Sequence, residues 1–242
     1  MSMKAQVKKA VVLSAGLGTR LGNLTRECPK VMVPISGKPM LEHHVEWLLR
    51  FGVEEFFFNL HYLPDEITDH FGDGGKWGVK VRYFYEENLR GTAGSLHGFR
   101  EYLDEPFLVQ YGDVFSRLQL DRLESFHRGH SATASLVIHP SSHPHDSDIV
   151  EVSAEDRITH IHHKPGDDRF GNLGNAGAYL LEPESLDFLA GPEVAEDFCK
   201  ELFPRMLAGG ASLFGYNTGD LLLDVGTPER LRWIEQFLKD HS

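Results

Sequence analysis

Residues 10–21 read Ala10-Val11-Val12-Leu13-Ser14-Ala15-Gly16-Leu17-Gly18-Thr19-Arg20-Leu21, a short β-branched apolar run followed by a glycine-rich loop. Such a run is typical of a strand that is buried on both faces, as the strands of parallel sheets are. Glycines and small residues after the strand let backbone N–H groups approach an anion, and the Arg20 guanidinium adds donors that match phosphate oxygens. The stretch therefore predicts a buried strand that ends in a phosphate-binding loop.

Two other phosphate-binding loops do not fit these residues. A P-loop needs Gly-Lys-Ser/Thr after the glycines, where Arg20 breaks the pattern. A dinucleotide-binding loop needs a third glycine where Leu21 stands, and an acidic residue at the end of the next strand. That strand ends at Asn59-Leu60-His61. The sequence therefore argues against a P-loop enzyme and against a dinucleotide-dependent oxidoreductase.

Strands and helices are predicted to alternate in the first half of the chain. The predicted strands there are 10–13, 55–60, 79–85 and 106–111, and the predicted helices are 40–51, 64–71 and 92–103. Later residues predict helices at 118–128, 197–207 and 228–238, a hairpin of 149–152 with 158–162, and strands at 132–139, 176–181 and 212–216. This order predicts an α/β fold with a mostly parallel, doubly wound sheet and a small antiparallel insertion. Ligands of such sheets bind at the carboxyl ends of the strands.

The composition fits one globular domain spanning residues 1–242, with residues 1–8 as a flexible N-terminal tail. Lys and Arg number 24 against 36 Asp and Glu, for a net charge of −12, which argues against a nucleic-acid partner. No apolar run approaches the ~18 residues of a membrane span, and the polar start does not resemble a signal peptide. Cys28 and Cys199 are too few for a disulfide framework or a cysteine zinc site. We expect a cytoplasmic protein without a membrane partner.

A second stretch carries a family resemblance. Residues 28–40 contain Cys28-Pro29-Lys30-Val31-Met32-Val33-Pro34-Ile35 and then Gly37-Lys38-Pro39-Met40. Together with the Gly16–Leu21 loop, they resemble the signature of the sugar-1-phosphate nucleotidyltransferases, and especially of the mannose- and D-glycero-D-manno-heptose-1-phosphate guanylyltransferases. Further similar motifs follow in family order: Gly91-Thr92-Ala93-Gly94-Ser95-Leu96, Gly112-Asp113, Lys164-Pro165, Asn175-Ala176-Gly177 and Asp224-Val225-Gly226-Thr227-Pro228-Glu229. The resemblance runs from about Lys9 to Leu238.

The resemblance implies a Rossmann-like nucleotide-diphospho-sugar transferase fold and a Mg²⁺-dependent reaction of a nucleoside triphosphate (NTP) with a sugar 1-phosphate, giving an NDP-sugar and pyrophosphate. It implies catalytic roles for Arg20, Lys30 and Asp113, and metal ligation by Asp113 and Asp224. The implied nucleotide-binding residues are Leu13, Ser14, Ala15, Gly16, Gly18, Thr19, Glu86, Gly91 and Thr92, and the implied sugar-phosphate residues are Lys164, Asn175 and Gly177. Family members often form homodimers, but the sequence leaves the oligomeric state open. No C-terminal β-helix is expected after the Asp224 motif.

The implied chemistry agrees with the residue types. Two anions must be brought together, which requires cations and a hard metal ion. The carboxylates of Asp113 and Asp224 are oxygen ligands that suit Mg²⁺. No nucleophilic side chain is needed, because the sugar phosphate supplies the attacking oxygen and the protein positions and neutralises the reactants.

Some alternatives stay open at this point. Glu86 stands where uridylyl and thymidylyl members have Gln. A carboxylate only accepts hydrogen bonds, which suits guanine, so GTP is the expected nucleotide donor. The alternatives are UTP or CTP as the donor, or a Glu86 that is solvated and has no role in binding the base. His163 replaces a Glu that often precedes the Lys-Pro pair and contacts sugar hydroxyls. His160 and His162 share a strand face, where we favour solvated side chains over a zinc site. A catalytically silent nucleotide-sugar-binding subunit is the rival function.

Overall fold

The structure is a computed structural model that describes residues 7–18, 22 and 24–241. Within those residues the strands are β1 (Lys9–Leu13), β2 (Pro34–Ile35), β3 (Lys38–Pro39), β4 (Glu55–Leu60), β5 (Lys80–Tyr85), β6 (Phe107–Tyr111), β7 (Val114–Ser116), β8 (Ala134–Pro140), β9 (Ile149–Val152), β10 (Ile158–His162), β11 (Leu173–Leu181), β12 (Leu213–Asn217) and β13 (Leu222–Asp224). The α-helices of the same ranges are α1 (Met40–Leu49), α2 (Pro64–Phe71), α3 (Gly91–Gly94), α4 (Leu120–Gly129), α5 (Phe203–Ala208) and α6 (Pro228–Asp240). Shorter helical turns lie at Lys30–Met32, Gly75–Trp77, Ser95–Tyr102, Pro144–Asp146, Pro183–Phe188 and Phe198–Leu202.

The parallel part of the main sheet is built around β1. This strand pairs in parallel with β4 on one side and β6 on the other, and β5 extends the sheet beyond β4. Ala10, Val11 and Val12 are all 0% exposed, as expected for a strand covered on both faces. The carboxyl ends of β1, β4, β5 and β6 therefore meet at one edge of the sheet.

The later strands extend this same sheet in antiparallel fashion. β11 pairs antiparallel with β6 and also contacts β8 and β9, while β12 adds to β8 in parallel. In the described part of the chain the main sheet has nine strands. The predicted α/β fold class is confirmed, and the predicted hairpin forms from β9 and β10.

Two small ribbons lie apart from the main sheet. β2 and β3 form a tight hairpin, and β7 pairs antiparallel with β13, with Asp224 opposite Val114. Neither ribbon was predicted, because strands of two or three residues carry no recognisable hydrophobic period. The β7–β13 ribbon positions the two aspartates discussed below.

The core occupies both faces of the sheet. Phe56 and Phe58 of β4 pack on one face with Leu41 and Val45 of α1, whereas Phe57 packs on the other face. All of these side chains are fully buried. This arrangement is what alternating side-chain direction along a strand produces when helices cover both faces.

The predicted helix over 92–103 takes a different form. It begins as α3 and continues as a 3₁₀ helix over Ser95–Tyr102. A Cβ atom on Gly98 would lie 2.1 Å from the ring of Phe84, so β5 packs directly against the backbone here. This close approach fits the tighter helix that replaces a full α-helix.

Part of the predicted N-terminal tail is ordered. Residues 1–6 lie outside the described ranges, but Val7 is only 2% exposed. The carbonyl of Lys8 accepts hydrogen bonds from the backbone N–H groups of Glu54 and Glu55. The prediction of a free tail is thus wrong for residues 7 and 8, because they continue the pairing of β1. No helix of the described residues is long and apolar enough to span a bilayer.

Candidate active site

A cavity of about 280 Å³ lies at the carboxyl ends of β1, β4, β5 and β6. Its walls are formed by Leu13, Ala15, Gly16, Lys30, Val31, Asn59, Glu86, Leu89, Gly91, Thr92, Tyr111, Asp113 and Asp197. This is the edge of an α/β sheet at which ligands are expected. Many of the predicted nucleotide-binding and catalytic residues come together here.

The loop after β1 lines one side of the cavity. Leu13, Ala15 and Gly16 contribute to its surface. Ser14 lies beneath them at 3% exposure, and its backbone N–H donates to Asn59 Oδ1 at 2.7 Å. Ser14 thus anchors the loop to β4 through its N–H, which is already engaged within the protein.

Gly18 brings the same loop close to Lys30. Its φ of +65° lies in the left-handed region, and a Cβ there would lie 2.8 Å from the Cβ of Lys30. The hydroxyl of Thr25 donates to the Gly18 carbonyl at 2.9 Å and fixes the turn. The predicted site residues Thr19 and Arg20 lie outside the described residues.

Lys30 is a buried cation between two carboxylates. Pro29 precedes the 3₁₀ turn Lys30–Met32 in extended conformation, and Lys30 is 5% exposed. Its ammonium group lies 2.6 Å from Asp113 Oδ2 and 3.4 Å from Asp224 Oδ1. The three residues that the resemblance assigned to phosphate and metal chemistry are therefore in direct contact.

The two aspartates are held by the β7–β13 ribbon and by α6. The backbone N–H of Val225 donates to the carbonyl of Asp113 at 2.8 Å. Arg230, in the first turn of α6, donates to Asp224 Oδ2 at 3.1 Å and to its carbonyl at 3.2 Å. The Asp113 and Asp224 side chains are 34% and 32% exposed, so both keep a face toward solvent.

The donor set of this site fits a hard divalent cation. Mg²⁺ is usually held by one or two carboxylates together with water and substrate phosphates, rather than by an all-protein cage. Asp113 and Asp224 supply two such carboxylates. Among the described residues no group of three or more His, Cys, Asp or Glu side chains could hold a metal ion, so the remaining ligands would come from substrate and water.

Glu86 stands directly after β5 and is 1% exposed. Its Oε1 accepts from Asn59 Nδ2 at 2.8 Å, and its Oε2 accepts from the backbone N–H of Arg90 at 2.8 Å. The alternative of a solvated Glu86 is therefore wrong. The carboxylate lines the cavity and is fixed by a network that reaches the loop after β1 through Asn59 and Ser14.

The predicted base loop is clamped by a segment from the second half of the chain. Gly91 has a φ of +73°, and a Cβ there would lie 2.4 Å from the carbonyl oxygen of Glu196. The backbone N–H and the hydroxyl of Thr92 both donate to Asp197 Oδ1, at 2.9 Å and 3.0 Å. Gly91 can make this approach because it lacks a side chain.

Two of the three predicted sugar-phosphate residues, Asn175 and Gly177, lie on the Tyr111 side of the cavity. Asn175 Oδ1 accepts from the backbone N–H of Gly177 at 3.0 Å, and Asn175 Nδ2 donates to Tyr179 Oη at 2.7 Å. A Cβ on Gly177 would lie 3.0 Å from the ring of Tyr111, which lines the cavity. Lys164 does not line the cavity; its side chain is 56% exposed and its ammonium group is 3.9 Å from Asp146.

Sequence reasoning missed five cavity residues: Asn59, Val31, Leu89, Tyr111 and Asp197. A polar residue at the carboxyl end of a buried strand, as Asn59 is, could have indicated the first. Asp197 could not be found, because it resembles an ordinary residue at a helix start. His162, one of the two histidines considered for a zinc site, has protein partners. Its Nε2 lies 2.9 Å from Glu151 Oε1, and its ring stacks on Phe170.

Comparison with known proteins agrees with this geometry. A family model described as "Nucleotidyl transferase" matches residues 9–241. The chain belongs to the nucleotidyl transferase family. The predicted family resemblance is thereby confirmed.

Within this family, the chain is similar to enzymes of more than one named specificity. It is 34% identical over 223 residues to a mannose-1-phosphate guanylyltransferase of Mycobacterium tuberculosis, covering 91% of this chain and 61% of that protein. It is 30% identical over 234 residues to a UTP–glucose-1-phosphate uridylyltransferase of Synechocystis, covering 90% of this chain and 60% of that protein. The chain thus spans about three fifths of the length of these curated relatives.

Solved structures of the nucleotidyl transferase type share the fold. A UDP-glucose pyrophosphorylase from Acinetobacter baumanii matches with a TM-score of 0.81 at 19% identity, over 96% of this chain and 93% of that chain. HddC from Yersinia pseudotuberculosis, complexed with GMP-PN, matches with a TM-score of 0.78 at 23% identity, over 96% of this chain and 100% of that chain. At these identities the likeness establishes the fold.

Proposed function

We propose that this chain is a sugar-1-phosphate guanylyltransferase: GTP and a sugar 1-phosphate, mannose- or heptose-configured, give a GDP-sugar and pyrophosphate. The observation that carries the proposal is the contact of buried Lys30 with both Asp113 and Asp224 at the wall of the strand-end cavity. Phosphoryl-transfer sites need this juxtaposition of a cation and metal-binding carboxylates. The relatives named mannose-1-phosphate guanylyltransferase support the choice of sugar and base.

In the proposed reaction the protein positions and neutralises two anions. Lys30 binds the α-phosphate and the incoming sugar phosphate, and its burial keeps water from screening the charge. Arg20 holds the pyrophosphate that leaves, and Lys164 and Asn175 bind the sugar-phosphate end. Mg²⁺ held by Asp113 and Asp224 neutralises phosphate charge when bound. The substrate's own phosphate oxygen attacks, so no side chain serves as nucleophile.

Base selection is assigned to Glu86. Its carboxylate accepts hydrogen bonds only, and each oxygen keeps acceptor capacity beyond the single bond it receives from Asn59 or Arg90. Guanine offers N1–H and the 2-amino group side by side, which suits two acceptors, whereas O4 of uracil would face a negative oxygen. GTP is therefore the expected donor. The oligomeric state stays open, and the cytoplasmic location stays a prediction.

A pyrophosphate-release assay tests the proposal. The purified protein with Mg²⁺ is supplied with GTP, UTP, CTP, ATP or dTTP against mannose, heptose and glucose 1-phosphates. GTP with a manno-configured sugar 1-phosphate should turn over best. Binding of nucleotide and sugar phosphate without any turnover would instead identify a silent binding protein and would refute the proposal.

A matched pair of variants tests base selection alone. Glu86→Gln should reduce the kcat/KM preference for GTP over UTP by roughly 10-fold, since an unpaired buried contact is worth about 1–3 kcal/mol. Glu87→Gln removes the same charge from an exposed neighbour and should leave the preference unchanged. A wild-type enzyme that used UTP or CTP at least ten times better than GTP would refute the role of Glu86 while leaving the nucleotidyltransferase activity intact.

A further inference from the structure

A polar cluster that the sequence did not indicate lies behind Tyr111 and consists of Asp148, His163 and Cys199. His163 Nδ1 lies 2.7 Å from Asp148 Oδ1, and the two side chains are 37% and 19% exposed. Cys199 is 2% exposed, and the charge of the Asp148 carboxylate acts on its thiol. Burial and the neighbouring Asp148 charge raise the pKa of Cys199 well above its usual value, which keeps the thiol a donor.

The cluster joins the two segments that were predicted to bind the sugar phosphate. The carbonyl of Asp148 accepts from the backbone N–H of Asn175 at 2.8 Å, and His163 directly precedes Lys164. Asp148 itself precedes β9, whose first residue is in register with Gly174 of β11. The Cα position of Asp148 is therefore fixed by the backbone pairing of the sheet and not by a loop alone.

A chain of contacts links the cluster to the cavity. Cys199 Sγ lies 3.9 Å from Tyr179 Oη, and Tyr179 Oη lies 3.3 Å from Tyr111 Oη. Tyr111 lines the cavity. Asp148 is bonded through its backbone to Asn175, and Asn175 is bonded to Gly177, which packs on the ring of Tyr111.

The chemistry of the cluster suits a ligand rich in hydroxyl groups. An ionised carboxylate offers about four acceptor positions and no donor. His163 contacts one of its oxygens, which leaves acceptor positions open on the partly exposed side. When Nδ1 of a neutral His163 donates to Asp148, its Nε2 is a further acceptor. Hydroxyl donors of a sugar ring are the groups that such acceptors bind.

A second carboxylate–imidazole pair on the same hairpin lacks these links. Glu151 Oε1 lies 2.9 Å from His162 Nε2, but the Glu151 side chain is 39% exposed and His162 stacks on Phe170. Among the residues that the structure describes, no hydrogen bond or ion pair connects this pair with Tyr111 or Cys199. It has the same chemistry as the Asp148–His163 pair in a more solvated place, and so it serves as an internal control.

We propose that Asp148 determines sugar specificity, its carboxylate accepting hydrogen bonds from hydroxyl groups of the sugar 1-phosphate, and that His163 is the residue that positions it. This inference rests on the proposed function, because it concerns the sugar half of that reaction. A lost charge-assisted contact of this kind changes affinity by about 10-fold or more. The loss falls on the sugar phosphate and not on the NTP.

The test measures kcat and KM for the sugar 1-phosphate at saturating NTP, and for the NTP at saturating sugar 1-phosphate. Asp148→Asn keeps the shape and the acceptor oxygen toward His163 but loses the charge, and should raise the sugar KM about 10-fold with the NTP KM unchanged. Glu151→Gln should leave both constants as in the wild type. His163→Leu should raise the sugar KM in the same way as Asp148→Asn. His163→Asn keeps a donor near the Nδ1 position and should therefore recover part of the loss.

Monodeoxy analogues of the best sugar 1-phosphate identify the hydroxyl concerned. One analogue should bind at least 10-fold worse than the parent sugar in the wild type, yet show no further loss in Asp148→Asn. Thermal unfolding checks that each variant is folded. If Asp148→Asn does not fold, the sugar KM of His163→Leu tests the proposal instead.

The outcomes separate the two proposals. A wild-type protein with no turnover of any sugar 1-phosphate refutes the proposed function and this inference together. An active wild type whose Asp148→Asn and His163→Leu variants keep the sugar KM within two-fold refutes the inference alone.

Discussion

Replacing Lys30 by methionine removes the cation from the centre of the candidate active site while keeping most of its volume. The Lys30 side chain is 6% exposed and contacts Asp113 and Asp224, whose side chains are 34% and 32% exposed. The methionine stem fills the same space, so no large cavity is created. The variant therefore isolates the loss of one positive charge between two carboxylates.

The structure allows the two consequences of Lys30→Met to be weighed. Breaking a fully buried ion pair costs about 3–5 kcal/mol, but surface pairs are worth about 0–1 kcal/mol. Because both carboxylates are one-third exposed and can be rehydrated, we expect a loss of about 1–3 kcal/mol in the free energy of unfolding. Domains are typically stable by about 5–15 kcal/mol, so the variant should remain folded. A cation used in the transition state contributes on the order of 10²–10³ in rate, and this loss should dominate.

Steady-state pyrophosphate release, measured over a range of GTP and sugar 1-phosphate concentrations, separates these effects. Lys30→Met should lower kcat by about 10²–10³, with circular dichroism and urea unfolding showing a folded protein. Lys38→Met is the matched control, because Lys38 is half-exposed, pairs with Glu46 and lies outside the cavity. An unchanged kcat with only a raised KM would show that Lys30 provides uniform binding and would refute its assigned role.

Three further perturbations test other parts of the structure. Asp113→Asn and Asp224→Asn should each reduce kcat on the order of 10²–10³ and raise the Mg²⁺ concentration needed for half-maximal activity; a variant with full activity would exclude its residue from the metal site. Burial lowers the pKa of His44 from 6.5 to about 4. As the pH falls, the unfolded chain therefore binds this proton before the folded protein does. The free energy of unfolding should then decrease between about pH 6.5 and about pH 4. His44→Gln should flatten that dependence in urea titrations at pH 7 and pH 5, whereas exposed His160→Gln should not. Gly91→Ala places a Cβ 2.4 Å from the Glu196 carbonyl at positive φ and should lower the unfolding free energy by about 1–3 kcal/mol; an unchanged urea midpoint would contradict the tight approach.

Local pattern was enough to predict the parallel half of the fold and one side of the site. The apolar run of β1 and the glycine loop after it lie within ten residues of each other, so their meaning does not depend on distant contacts. Glu86 and Thr92 are placed at the site by the family resemblance, whose motifs are equally local in sequence. What the sequence could not indicate was which distant segments complete the cavity. Asp197 contacts Thr92, which lies 105 residues away in sequence, and no motif near Asp197 predicts that contact.

The sugar end shows the same limit more sharply. His163 could be recognised from sequence only as a missing glutamate, because its motif is local. The carboxylate that it contacts, Asp148, lies 15 residues away and is aligned with it by the β9–β10 hairpin. Lys164 is half-exposed, where the Lys-Pro motif alone gave no information on burial. The sequence could therefore indicate which residues lie at the sugar end. It could not indicate which side chains contact each other there, because those contacts form only in the folded sheet.

The β7–β13 ribbon has a consequence for how the site is completed during synthesis. Lys30 meets Asp113 across 83 residues of chain but meets Asp224 only across 194. A nascent chain that has emerged as far as β7 already carries the ammonium group and its first carboxylate, and the sheet around β1 can form. The second carboxylate leaves the ribosome more than a hundred residues later, so the charge balance of the candidate site is set only after the parallel part of the sheet is in place.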